Sequence, residues 1–219
     1  MGQDFGRGRR RRCPPHHPGI DRTGEEIALS TRGQGRIVLL NGAPRSGKSS
    51  IAAAIARSFP GLWVALGVDA MMAMTPERFR PGIGLRPGGE RPELEPAVAS
   101  LYAGLFDAIA GFSRNGINVV SDLGIHDFYA RPLGIWGEME RRLGGLPLLR
   151  VGVTCPIETI MARRNADPQG GFYAAGEGVP APVQRWQEAV HAGKTYDLVV
   201  DTGAMSPEAC AAAIRARLP

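Results

Sequence analysis

The segment Gly42-Ala-Pro-Arg-Ser-Gly47-Lys48-Ser49 constrains this chain more than any other. It matches G-x-x-x-x-G-K-[ST] in full. The apolar run Ile37-Val-Leu-Leu40 precedes it, and the helix-forming Ser50-Ile-Ala-Ala-Ala-Ile-Ala-Arg57 follows. Strand, glycine loop and helix in that order make a phosphate cradle. Gly42 and Gly47 permit backbone angles and a close approach that a side chain would block. Successive N–H groups then turn inward, and the helix N-terminus adds partial positive charge. Lys48 is expected to reach the β- and γ-phosphates and Ser49 to ligate Mg²⁺. The expected ATP-binding set is Gly42, Ala43, Pro44, Arg45, Ser46, Gly47, Lys48, Ser49 and Ser50, with the Arg45 side chain either adding charge to the cradle or facing solvent. Only two of the 26 basic residues are lysines, Lys48 and Lys194, so a lysine in this chain is the rarer choice.

The rest of the pattern supports an α/β fold. Short apolar runs recur at Ile37–Leu40, Leu62–Leu66, Val119–Val120, Leu148–Val153 and Leu198–Val200. Their brevity and Val/Leu/Ile content suit strands buried on both faces. Helices are expected over Lys48–Phe59, Glu93–Arg114, Phe128–Leu143, Pro156–Asn165, Val183–Ala192 and Pro207–Leu218, with Ser206 as an N-cap. The expectation is a doubly wound, five-stranded parallel sheet of the P-loop nucleotide-kinase type. Segments 76–92 and 166–182 are too rich in Gly and Pro for core elements, and read as lids or as plain loops.

Charge and cysteine usage narrow the function classes. Residues 1–36 carry eight arginines and four acids, while the remainder carries 18 basic and 17 acidic residues. Four of the five net positive charges therefore sit in residues 1–36. Residues 1–35 show neither helical nor strand periodicity and are read as a basic, disordered tail, with the folded domain over 36–219. The arginines lack interleaved aromatics, so nucleic acid is not the expected partner, although a salt-sensitive contact through the tail stays open. No charge-free stretch is long enough to span a membrane. Cys13, Cys155 and Cys210 are scattered, which fits a reducing compartment; the cytoplasm is expected. Oligomeric state is not legible.

A P-loop specifies a nucleotide, not a reaction. The guanine-reading N-K-x-D is absent, and the small size with long Gly/Pro loops favours a small-molecule kinase. Acceptors in such folds sit at the carboxyl ends of the strands beside the loop. Asp69 follows the second apolar run and precedes Ala70-Met-Met-Ala; it suits a general base for an acceptor hydroxyl, or an N-cap. Asp122 follows the third run and suits support of the Mg²⁺ ion, or a turn cap. Met71, Met72 and Met74 could line an apolar acceptor site or face the core. His126 and Asp127 could edge the acceptor pocket. His191 and Lys194 are expected in surface or packing roles.

N-G-x-x-x-x-G-K-S at 41–49, L-W-V-A-L-G-V-D at 62–69, V-G-V-T-C at 151–155, V-H at 190–191 and Y-D-L-V-V-D-T at 196–202 together resemble the chloramphenicol phosphotransferase-like family, over about residues 37–219. The resemblance implies an ATP-dependent kinase acting on a hydroxyl of chloramphenicol or a similar small molecule, with a role in antibiotic resistance, and Asp69 as the activating base. It also implies spaced lid arginines after the fourth strand. Arg163 matches the first, whereas the later positions fall on Asp167 and Gly170. Arg163 and Arg164 are therefore expected to screen the transferring phosphoryl group. The alternatives are a kinase for another alcohol or nucleoside, and a nucleotide-binding protein with weak catalysis.

Overall fold

The computed structural model describes residues 33–80, 91–167 and 178–219. Most of the basic N-terminal segment and the centres of both Gly/Pro-rich loops lie outside these residues. Five parallel strands, β1 (Ile37–Asn41), β2 (Trp63–Ala65), β3 (Asn118–Leu123), β4 (Leu148–Thr154) and β5 (Leu198–Asp201), form one sheet in the order β2-β3-β1-β4-β5. The expected architecture is what the chain adopts. β1 lies at the centre, paired with β3 and β4, and all its residues are buried. That burial on both faces is why its sequence is uniformly apolar up to Asn41.

Helices cover both faces. α3 (Glu95–Arg114) and α4 (Ile135–Leu143) pack on one side, where Phe106, Leu105, Ile109 and Met139 are fully enclosed. α1 (Lys48–Ser58) and α7 (Pro207–Arg215) cover the other through Ile51, Ile55 and Ile214. α7 starts as its sequence suggests: Ser206 Oγ accepts from Ala209 N at 3.1 Å, and Pro207 takes the first turn. α2 (Val68–Met74) follows β2, and α5 (Ile157–Ala166) follows β4. α6 (Ala181–Ala189) brings Trp186 against Cys155 and Ile160 near the strand ends.

Several elements differ from their expected extents, α4 the most. The helix expected from Phe128 begins only at Ile135. Gly134 just before it has φ +63, a left-handed conformation, and Pro132 has no N–H to continue a helical ladder. β3 runs through Ser121 and Asp122 to Leu123, because Ser121 is fully buried in register opposite Leu39. At the other end of the sheet, Gly35 is already engaged: its N–H donates to Ser113 O, and Ser113 Oγ donates to its carbonyl at 2.6 Å. Pro92–Arg114 is long and apolar enough to cross a membrane by composition alone, but one face of it packs on the sheet.

Candidate active site

The carboxyl ends of β1, β2 and β3 open into a cleft of about 830 Å³. One wall is the loop between β1 and α1, contributing Gly42, Pro44, Arg45, Gly47, Lys48, Ser49 and Ser50. The glycines are needed there for different reasons. A Cβ on Gly42 would stand 2.4 Å from Val153 O, so the close approach of loop to β4 excludes any side chain. Gly47 has φ +90, which L-residues rarely adopt. Ala43 does not line the cleft, but its carbonyl accepts from Lys48 Nζ at 2.8 Å. Ser46 is buried, and its carbonyl accepts from Thr202 Oγ1 at 2.6 Å.

Lys48 is the cation at the centre of this wall. Burial lowers its pKa to about 8, against the opposing pull of the carboxylates of Asp122 and Asp69. The interaction with both acids places all three charges in one neighbourhood. Asp122, at the end of β3, accepts from Ser49 Oγ at 2.7 Å. Gly67 makes room for it: a Cβ there would fall 1.8 Å from Asp122 Oδ1.

Asp69 sits in the first turn of α2 and lines the cleft. It does not cap the helix; Gly67 occupies that position, with no side-chain cap hydrogen bond. Val68, Met72, Tyr102, Leu123, Gly124 and Trp186 continue the wall around it. Of the three methionines, Met72 faces the cleft, Met71 packs on the core and Met74 is exposed.

Arg163 reaches the cleft from α5, but its guanidinium is occupied. Nη1 donates to Arg45 O and Thr202 Oγ1, each at 3.2 Å, and Nη2 donates to Thr202 O at 2.8 Å. Arg163 and Thr202 thus brace the P-loop from beneath. Arg164 is not brought to the cleft: its side chain is buried along α5, with Nη1 3.9 Å from Met161 Sδ. Side chains one position apart on a helix point in different directions, so only one of the pair can face the loop. His126 is buried between Tyr129 and Trp186, and Asp127 pairs with Lys194 at 2.9 Å; neither lines the cleft. His191 Nδ1 lies 2.9 Å from Tyr196 Oη, in a packing role.

Tyr102 and Trp186 carry no sequence signal for a site, while Gly67 and Thr202 stand inside the segments 62–69 and 196–202 without being marked there as site residues. Thr202 and Trp186 reach it from distant segments, and Tyr102 is one apolar-face residue among many on α3.

Comparison with known proteins places the fold and the family. Solved structures with the same fold include the APS kinase of Mycobacterium tuberculosis in complex with AMPPNP and APS, at 18% identity and a TM-score of 0.59, covering 84% of this chain and 98% of that one. A tunicamycin resistance protein of Deinococcus radiodurans matches at 19% identity and a TM-score of 0.59, over 84% and 95% of the two chains. A sugar kinase from Janibacter sp. matches at 18% and 0.56, over 83% and 93%. The fold is that of the P-loop kinases. No curated protein matches the sequence. The model of the chloramphenicol phosphotransferase-like proteins matches residues 35–219, from the first residues engaged with the sheet to the C-terminus, and the chain belongs to that family.

Proposed function

We propose that the protein is an ATP-dependent phosphotransferase whose acceptor is a hydroxyl of a small molecule, chloramphenicol or a related alcohol. The observation that carries this reading is the convergence on one cleft of a phosphate-gripping loop, Lys48, the Ser49–Asp122 pair and a separate carboxylate, Asp69. The cleft volume suits a nucleotide tail with a small acceptor beside it.

In this reading the loop amides and Lys48 hold the polyphosphate, and Asp69 accepts the proton of the acceptor hydroxyl. The acceptor oxygen forms a bond to the γ-phosphorus as the bond from that phosphorus to the β,γ-bridging oxygen breaks; ADP leaves, and the proton rests on the Asp69 carboxylate. Ser49 and Asp122 are the residues that fit Mg²⁺. Their two hard oxygens are adjacent at the loop's end, and no cluster of three or more acidic, His or Cys ligands exists among the described residues. So sparse a protein set would hold a hard divalent ion that takes its other ligands from outside the protein. The metal, when bound, supplies charge neutralisation across the β- and γ-phosphates. Arg163, through its bonds to Arg45 O and Thr202, keeps the loop in its gripping shape.

Asp69→Asn is the direct test. Nucleotide affinity is expected to stay within about threefold, while turnover with an active acceptor drops by about 10² or more, the usual worth of a general base. Unchanged turnover would remove Asp69 from the mechanism. A panel of acceptors, chloramphenicol among them, scored for an ATP-dependent phosphoryl mass gain, decides the acceptor; chloramphenicol inert beside an active alcohol or nucleoside would reassign it.

A further inference from the structure

Three cationic residues line the cleft among the described residues, and the side chain of each has a partner. Lys48 Nζ is tied to the loop's own Ala43 carbonyl, and Arg163 spends both terminal nitrogens on Arg45 O and Thr202. The third, Arg45, stands in the middle of the P-loop with φ +65, the one non-glycine in the left-handed region among the described residues. Its backbone carbonyl is held by Arg163, and its side chain is mostly shielded. The guanidinium grips one residue at two points: Nη1 donates to Asp167 Oδ2 at 2.8 Å and Nη2 to Asp167 O at 2.6 Å.

Asp167 is the C-cap of α5, and its side chain is 69% exposed. An exposed carboxylate is a weak, solvent-screened partner. A phosphoryl group in transfer carries more charge, offers three equatorial oxygens and sits in a drier site, and a guanidinium fork matches that geometry.

We propose that Arg45 is the residue that stabilises charge on the transferring phosphoryl group, and that Asp167 is its ground-state partner, released when nucleotide fills the loop. The inference rests on the phosphoryl-transfer reading above. Arg45 supplies from within the P-loop the positive charge that Arg163, locked beneath it, does not. Asp167 acts through Arg45: it holds the fork at the cleft's rim and competes with phosphate for it.

The test needs no acceptor. The full chain is titrated with MgADP alone and with MgADP plus aluminium fluoride, whose planar, anionic group imitates a phosphoryl group in flight. The wild-type protein is expected to bind the fluoride complex at least about 100-fold more tightly than MgADP, as transition-state analogues do. Arg45→Ala should erase about 100-fold of that preference, while its affinity for MgADP stays within about fivefold. Arg45→Asn, which tolerates a positive φ, serves if the alanine variant does not fold. Asp167→Asn should tighten the fluoride complex by a few-fold, since the competing charge is gone. If Arg45→Ala or Arg45→Asn keeps the full preference, or Asp167→Asn weakens the complex as the Arg45 variants do, the proposal is overturned. If the wild-type protein shows no preference for the fluoride complex, the phosphotransferase reading itself fails, which is a different outcome.

Discussion

Lys48 shows how one side chain is tuned by competing effects. Desolvation pulls its pKa from the ordinary 10.5 to about 8, and the two nearby carboxylates recover only part of that loss. Between these values the unfolded chain binds more protons than the folded one. Stability of the nucleotide-free protein should therefore rise as pH climbs from about 8 toward 10.5, where Lys48 sheds its proton in both states. Polyphosphate acts in the opposite sense, restoring the charged form. ATP binding above pH 8 is thus expected to take up a proton and to weaken as pH rises. Calorimetry in two buffers of different ionisation enthalpy measures this; Lys48→Arg, charged throughout, should lose the proton uptake. The same scale explains what was legible in the sequence. Lys48, Ser49 and the two glycines sit in one contiguous motif whose geometry is local, so their placement together follows from spacing. Arg45 and Arg163 are named by that motif and by the resemblance, yet their partners are 122 and 118 residues away in sequence.

At the scale of elements, the site depends on how closely β2 and α2 approach β3. The turn between β2 and α2 is glycine because Asp122 fills the space a Cβ would take, not because the backbone demands it: Gly67 has φ −130, open to any residue. Gly67→Ala should push the Asp122 carboxylate away from Ser49. If Ser49 and Asp122 hold Mg²⁺ as proposed, the expected result is a loss of about tenfold or more in the Mg²⁺-dependent part of ATP affinity, with Mg²⁺-free binding changed much less. Titrations with and without the metal separate the two. Strand and helix positions were readable because apolar runs and helical periods are written within each segment. The late start of α4 was not, since the apolar residues before Ile135 look helical until Pro132 and the left-handed Gly134 are weighed.

Across the whole molecule, the two faces of the sheet are buried by different helix pairs, and the cleft is the gap left at the strands' carboxyl ends. Phe106 is fully enclosed on the α3 side and stacks on Tyr102, with ring centroids 5.7 Å apart and planes 28° apart. Tyr102 in turn lines the cleft. Phe106→Ala should cost about 3–5 kcal/mol of stability, as large core truncations do, read as a lower denaturant midpoint with little change in slope. Asp69→Asn should leave that midpoint nearly in place, since its carboxylate makes no hydrogen bond among the described residues and substitutions at exposed positions are usually mild.

The sequence by itself determined the order of strands and helices, the phosphate loop and the identities of its glycines, Lys48 and Ser49, because each depends on neighbours a few residues away. Tertiary structure decided which distant groups meet that loop. Thr202 and Arg163 brace it, Asp122 closes on Ser49 and Asp167 takes the Arg45 fork, while Arg164, one residue from Arg163, turns into the protein interior. Such pairings depend on the sheet order β2-β3-β1-β4-β5, which sets β3 and β4 against the strand that feeds the loop. Strand order is a global packing outcome, so no local spacing encodes it.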